Sequence, residues 1–116
     1  MADVIIQIQD ELYTDEVLQF AEEAKQCTEL YSKKNHDYGN SFDKGMDTIG
    51  MPYGVGRIYD KVNRLITLTG SNQFVKPQIT NESIDDTLMD LACYSIMMLA
   101  YRKRERNKTI KEIDLN

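Results

Sequence analysis

The sequence predicts an all-α fold, a small helical bundle with a long glycine-rich loop between its first and second helices. Two observations support this prediction. Apolar residues recur at three- and four-residue steps in three separate segments, which is the periodicity of amphipathic helices. Between the first two segments, residues 35–56 hold five of the six glycines. Glycine serves where the backbone needs a positive φ or approaches another group closely, so we expect a loop there.

The bulk composition favours a single domain over residues 1–116. A chain of 116 residues with 41% hydrophobic and 28% charged residues is typical of one globular domain. The net charge of -5 argues against a nucleic-acid polymer as partner. No secretory signal or membrane-spanning run is apparent, and Cys27 and Cys93 each fall inside a helical pattern. We therefore expect a cytoplasmic protein with unpaired cysteines and no membrane partner.

Three helices are predicted. The first runs from about Asp15 to Lys34, with Thr14 as its N-cap, and the residues before it, 1–12, are expected to form a loosely ordered arm. The second runs from about Arg57 to Thr69, where Gly70 follows in the usual C-terminal position. The third begins near Asn81 or Ser83 and continues to about Asn107, followed by a loosely ordered tail, 108–116.

The third helix is apolar on every side after Asp90, which predicts that it is buried all round. Two other helices offer too little surface to cover it. The sequence therefore also predicts a homo-oligomer.

Acidic residues supply the sharpest functional signal. Glu82, Asp86 and Asp90 are four residues apart, so they stack on one face of the third helix. That face continues into core residue types, so we expect Asp86 and Asp90 to point inward toward positive charge. The partner is either a hard cation such as Mg²⁺, with all three acids as ligands and Asp86 and Asp90 catalytic, or cations of the second helix. A dipole-matched acidic first turn with an internal salt bridge is the alternative.

The second helix carries cations at the same spacing. Arg57, Lys61 and Arg64 follow three- and four-residue steps, so they share one face. They either pair with the acids of the third helix or bind phosphate, Arg through two parallel hydrogen bonds and Lys as a point charge.

A polar and aromatic segment follows the first helix. It supplies four further candidate ligand-binding residues, namely Lys34, Asp37, Tyr38 and Phe42. Tyr38 and Phe42 offer rings on which a nucleobase could stack, and Asp37 could read donors on the base. The alternative is a capped turn whose aromatic residues fill the core.

A series of separated motifs resembles a known family, the nucleotide modification associated domain 1. They are Lys34, Asp37-Tyr38-Gly39, Gly50, Arg57-Ile58, Asp60-Lys61, Arg64-Leu65, Glu82-Ser83, Asp86-Thr87, Asp90-Leu91 and Tyr94. This is a small helical family found largely in bacteriophages. The resemblance implies a phage or prophage protein that binds or acts on nucleotides, in the cytoplasm of the host cell if it is phage-encoded.

A weaker similarity is to the all-α nucleoside triphosphate pyrophosphohydrolases, the MazG and dimeric dUTPase group. These bind Mg²⁺ through two acidic helix motifs and cleave between the α and β phosphates. The segment from Asp90 to Tyr94 resembles the end of their second motif. However, Thr87 stands where that motif has Glu, and Lys61 and Arg64 follow Asp60 where the first motif has a second acid.

Three functions are compatible with these residues. The first is Mg²⁺-dependent hydrolysis of a nucleoside triphosphate or a modified nucleotide. The second is a non-catalytic protein that sequesters a nucleotide signal of host antiviral defence. The third is a helical interaction protein whose acid–base pairs are structural. Nucleotide binding is common to the first two, and the sequence leaves open whether the protein is an enzyme.

Overall fold

The computed structural model describes residues 13–38, 40–70 and 81–115, and within these ranges the fold is entirely α-helical, as predicted. The four helices are α1 (Asp15–Tyr38), α2 (Ser41–Ile49), α3 (Met51–Leu68) and α4 (Asn81–Leu115). The chain divides into two compact units, one up to Gly39 and one from Asn40 onward. The predicted arm, 1–12, lies outside the described residues.

The first unit contributes α1. The predicted N-cap is confirmed, because the backbone N–H of Val17 donates to Thr14 Oγ1 at 3.3 Å. The helix continues to Tyr38, beyond the predicted end at Lys34. Cys27 in this helix and Cys93 in α4 are both buried.

The predicted long glycine-rich loop is wrong. Residues 41–49 and 51–68 are helical, and α2 and α3 are separated only by Gly50, whose φ is 90°. The N–H of Gly50 donates to the carbonyl of Met46 at 2.8 Å and so closes α2, while Pro52 occupies the first turn of α3. Asn40, with a φ of 64°, precedes α2. Within the segment that was predicted as a loop, the break between α2 and α3 is therefore one residue with a positive φ.

Two of the glycines lie inside helices because side chains approach them closely. A Cβ atom on Gly45 would collide with the ring of Tyr53, and one on Gly54 would lie 2.7 Å from Met98 Sδ. These separations are far below van der Waals contact. Gly45 and Gly54 thus allow other side chains to pack directly on the helix backbone.

Helices α3 and α4 run in opposite directions along their contact. Residue numbers rise on α3 as they fall on α4, from Gly54 opposite Met98, through Lys61 opposite Asp90, to Arg64 opposite Thr87. The buried core of this unit lies at the first end of that series. It contains Phe42, Met46 and Met98, with partly buried neighbours Tyr53, Ile58, Tyr94, Met97 and Tyr101.

Helix α4 is longer than the sequence predicts and exposes apolar side chains in the single chain. It spans 35 residues to Leu115, so most of the segment expected to be a loose tail is helical. A single chain does not bury the helix all round, because Leu88, Ile96 and Leu99 are 48%, 54% and 51% exposed. Helix α3 also exposes apolar side chains at helical spacing, namely Val55, Tyr59, Val62 and Ile66.

Candidate functional site

The contact between α3 and α4 changes from apolar to polar along its length. We call Lys61, Arg64, Thr87 and Asp90 the polar seam. The three- and four-residue steps of a helix bring Lys61 and Arg64 to the side of α3 that faces α4. On α4, Thr87 and Asp90 are three residues apart and meet them in reverse order. The sequence thus places two cations against one acid and one hydroxyl.

Asp90 has a cationic partner on α3, one of the two kinds of partner that the sequence leaves open. Lys61 Nζ lies 3.1 Å from Asp90 Oδ2, and the two side chains are only 25% and 24% exposed. Partial burial lowers the local dielectric, so this pair is stronger than a fully exposed one. Of the two candidate partners for the acids, a metal ion or the second helix, the structure shows a cation of the second helix at Asp90.

The next contact along the polar seam joins Arg64 to Thr87. Arg64 Nε donates to Thr87 Oγ1 at 3.1 Å, and Thr87 Oγ1 donates to the carbonyl of Ser83 at 2.7 Å. Thr87 is 2% exposed. Sequence reasoning did not single out Thr87 as a site residue. The available signal was its position three residues before Asp90, which puts it opposite the next cation of α3.

The prediction that Asp86 points inward is wrong, because its side chain is exposed. Its neighbour Thr87 occupies the position opposite Arg64, which leaves Asp86 at the solvent edge of the same face. The side chain of Glu82 lies outside the described residues. Across residues 13–36, 40–70 and 83–114, whose side chains are described, no three His, Cys, Asp or Glu side chains are grouped to hold a metal ion. A Mg²⁺ site formed by Glu82, Asp86 and Asp90 stays a prediction.

Arg57, the first cation of the predicted row, has a different environment. Its guanidinium lies over the ring of Tyr53, with Cζ 5.4 Å from the ring centroid. This cation–π contact joins residues one turn apart on α3. The structure therefore brings Lys61 and Arg64 to residues of α4, while the contact found for Arg57 is with its own helix.

The candidate ligand-binding residues of the polar and aromatic segment have different environments. Phe42 is 7% exposed, and its ring centroid lies 5.8 Å from that of Tyr53 and 6.0 Å from that of Tyr94. Its burial supports the alternative that it fills the core rather than stacking a nucleobase. Lys34 is exposed on α1, in the first unit. The side chains of Asp37 and Tyr38 lie outside the described residues.

A second set of polar contacts joins α2 to α4 near the core. Tyr101 donates to Asp47 Oδ1 at 2.5 Å, and Arg104 forms an ion pair with Asp43 at 2.7 Å. The hydrogen bond to Asp47 is the main cause that raises the pKa of Tyr101 to about 12, since ionisation would break the bond beside a carboxylate. An open groove of about 590 Å³ lies nearby, lined in part by Met46, Met51, Arg102 and Ile110.

Comparison with known proteins adds one finding. No curated protein and no solved structure matches the sequence significantly. Nor is any helix within residues 13–38, 40–70 and 81–115 long and apolar enough to cross a membrane. One family, described as nucleotide modification associated domain 1, matches residues 34–101, which is more than half of the chain and includes the whole polar seam. The chain therefore belongs to the nucleotide modification associated domain 1 family.

Proposed function

We propose that the protein binds a nucleotide, or a molecule derived from one, through its phosphate groups at the polar seam. One observation carries the proposal. Two cations of α3 lie one turn apart, and among the described residues Lys61 has an acidic partner, whereas the contact found for Arg64 is the neutral hydroxyl of Thr87. Within the part of the chain that the structure describes, Arg64 forms no ion pair. An arginine in this state favours a phosphate oxygen as its counter-charge.

Membership of the family supports a nucleotide as the source of that phosphate. The family is described as associated with nucleotide modification, and its pattern covers Lys61, Arg64, Thr87 and Asp90. Because the family resembled by the sequence occurs largely in bacteriophages, we propose that this is a phage or prophage protein. It would capture a nucleotide, including a nucleotide signal of host defence. We favour binding without chemistry because Lys61 already occupies Asp90, the acid that a metal-dependent reaction would need.

Mg²⁺-dependent hydrolysis is the second candidate. It is favoured by the exposure of Asp86 one turn from Asp90 on the same face of α4. Asp86 and Asp90, with Glu82, would hold the metal ion, which would supply an activated water molecule. Lys61 and Arg64 would offset the charge of the phosphates. This function requires Lys61 to leave Asp90 when the ligand binds.

We also propose that the protein forms a homo-oligomer. The apolar side chains exposed on α3 and α4 support this, since an exposed apolar stripe on each of two neighbouring helices is typical of a surface that another chain covers. Light scattering combined with size-exclusion chromatography tests it. A mass of two or more chains is expected, and a monomer at every concentration would contradict it.

The proposed function is tested by titrating a panel of deoxynucleoside triphosphates, cyclic dinucleotides and ADP-ribose derivatives, with and without Mg²⁺. Calorimetry reports binding, and chromatography of the same samples reports turnover. We expect at least one compound to bind unchanged and to raise the Tm, because a ligand that binds only the folded state stabilises it. Product formation that depends on Mg²⁺ and is lost in Asp90→Asn would select the hydrolase instead.

A pair of variants locates the binding site. Arg64→Gln and Lys103→Gln each remove one positive charge, but Lys103 is exposed on α4 outside the polar seam. Losing hydrogen bonds to a charged group should weaken binding about 10- to 100-fold in Arg64→Gln. Lys103→Gln should bind as the wild type does. No binding or turnover across the whole panel, or equal weakening in both variants, would contradict the proposed function.

A further inference from the structure

Thr87 is unusual among the residues whose side chains the structure describes. Among these residues, Thr87 is the one polar side chain that is buried, at 2% exposure. The other buried side chains of α4 are those of Cys93 and Met98. A hydroxyl in such a position is costly unless its hydrogen-bonding capacity is used. Its partners therefore indicate what the residue does.

Both of the hydroxyl's hydrogen-bonding roles are assigned by its contacts. A threonine hydroxyl has one hydrogen to donate and lone pairs that accept. The carbonyl of Ser83, at 2.7 Å, can only accept, so the hydrogen points there. Arg64 Nε, at 3.1 Å, can only donate, so Oγ1 accepts from it. The bond to Ser83 thus orients a lone pair of Thr87 toward α3.

This arrangement fixes how Arg64 presents its charge. A guanidinium is planar and has five N–H donors in a rigid fork. Because Thr87 receives the Nε hydrogen, the edge formed by the two Nη atoms faces away from Thr87. Arg64 as a whole is exposed. Within the described residues, no acceptor for either Nη atom is found. With no acceptor among the described residues, this edge can bind two oxygens of a single oxyanion.

Lys61, one turn earlier, offers no such edge. Its ammonium is a point charge, and Asp90 lies 3.1 Å from it. The first cation available to an incoming anion is therefore Arg64.

We propose that Thr87 is a positioning residue, which holds the guanidinium of Arg64 so that its two Nη atoms bind two non-bridging oxygens of one phosphate group. This inference rests on the proposed function and assigns the ligand chemistry of the same site. Ordering a flexible side chain before binding removes a cost that the complex would otherwise meet, about 0.7–1.4 kcal/mol for one side chain. That corresponds to an affinity gain of about three- to tenfold.

The test uses three threonine variants, with pyrophosphate and the binding compounds of the nucleotide panel as probes. Thr87→Val removes the hydroxyl and nearly keeps the shape, whereas Thr87→Ser keeps the hydroxyl. Thr109→Val is the matched control, because Thr109 Oγ1 donates to the carbonyl of Glu105 four residues earlier on α4, at 3.1 Å, without an arginine at its oxygen. Calorimetry measures the Kd, and thermal unfolding measures the Tm in the absence of ligand.

We expect Thr87→Val to weaken binding about three- to tenfold, and Thr87→Ser to restore most of the affinity. Thr109→Val should leave the Kd unchanged. In an Arg64→Gln background, Thr87→Val should have no further effect, because Thr87 acts through Arg64. A purely structural role would lower the Tm and would weaken binding equally in both backgrounds, which would overturn the inference.

A measurement without ligand tests the positioning itself. The Nε–H of Arg64 should exchange with water more slowly than that of Arg102, which is exposed on α4. In Thr87→Val the two rates should become similar. If the wild type binds none of the probes, the proposed function and this inference are both wrong. If Arg64→Gln loses affinity but Thr87→Val binds like the wild type, or its Nε–H exchange is unchanged, only the inference is wrong.

Discussion

The two ends of the α3–α4 contact are built from opposite chemistry. At the apolar end, Gly54 admits the side chain of Met98, and Phe42 packs between aromatic rings. At the polar seam, Lys61 and Arg64 meet an acid and a hydroxyl. Apolar packing contributes most of the stability of a small domain, whereas half-buried polar groups contribute little net stability. We infer that one end holds the unit together and the other serves binding.

The largest expected effect tests the apolar end. Phe42→Ala should lower the free energy of unfolding by about 3–5 kcal/mol, because it leaves a cavity among the rings of Tyr53 and Tyr94. Ile49→Ala is the control on the same helix, since Ile49 is 60% exposed, and should change it by less than about 0.5 kcal/mol. Urea denaturation measures both. Similar losses in the two variants would show that the core lies elsewhere.

The same substitution, glycine to alanine, tests the close packing at the apolar end at two positions of α3. A Cβ atom on Gly54 would collide with Met98, whereas one on Gly56 would meet nothing within 4 Å. Gly54→Ala should therefore cost about 1–3 kcal/mol of stability through overpacking. Gly56→Ala should add about 0.5–1 kcal/mol, because alanine favours the helix. If both substitutions shift the denaturation midpoint in the same direction, the close approach of α4 to Gly54 is wrong.

At the polar seam, two aspartate variants compare an acid that has a cationic partner with an acid that is exposed. Asp90→Asn leaves Lys61 without its acid in a half-buried position and should cost about 1–2 kcal/mol. Asp86→Asn should stay within about 0.5 kcal/mol, since Asp86 is exposed. Thermal unfolding of both variants compares them. A loss confined to Asp86→Asn would contradict the placement of both side chains.

The smallest effect concerns the pH dependence of the α2–α4 contact. The raised pKa of Tyr101, about 12, means that its hydrogen bond to Asp47 stabilises the fold fully below pH about 10, the ordinary tyrosine pKa. That contribution is lost as the pH rises from about 10 to about 12. The Tm of Tyr101→Phe should therefore fall less over this interval than that of the wild type. Tyr59→Phe, at an exposed tyrosine, should follow the wild type, and a Tyr101→Phe profile that did the same would contradict the assignment.

The helices themselves were largely predictable, and the glycine-rich segment was not. Periodicity predicted α1, although the helix continues past Lys34 to Tyr38. Gly70, whose φ of 73° suits a glycine after a helix, indicated the end of α3 to within one residue of Leu68. The loop predicted over residues 41–56 was wrong because glycine has two uses that look the same in a sequence. Gly50 supplies a positive φ, but Gly45 and Gly54 supply room for Tyr53 and Met98. Only the position of the neighbouring side chains distinguishes these uses.

Of the two acids predicted to point inward on α4, Asp90 meets a cation of α3 and Asp86 is exposed. The spacing of the acids and cations predicted positive charge at Asp90 and left its source open, and the structure shows Lys61 there. The same spacing placed Asp86 inside, although Thr87 faces α3 there. Residues four apart on a helix differ by about 40° in direction, so a row of acids drifts away from a straight neighbour. The exposed apolar side chains of α4 could not be predicted from periodicity, because it does not say which chain covers a face.

The central claim is that phosphate binds at the polar end of the α3–α4 contact. Backbone amide shifts of the ¹⁵N-labelled protein, followed during titration with pyrophosphate, test this most directly. We predict that the largest changes fall at Lys61, Arg64, Thr87 and Asp90, and that Phe42 and Met98 at the apolar end hardly move. Changes confined to the basic residues of α4 from Arg102 to Lys111, or no changes at all, would contradict the claim.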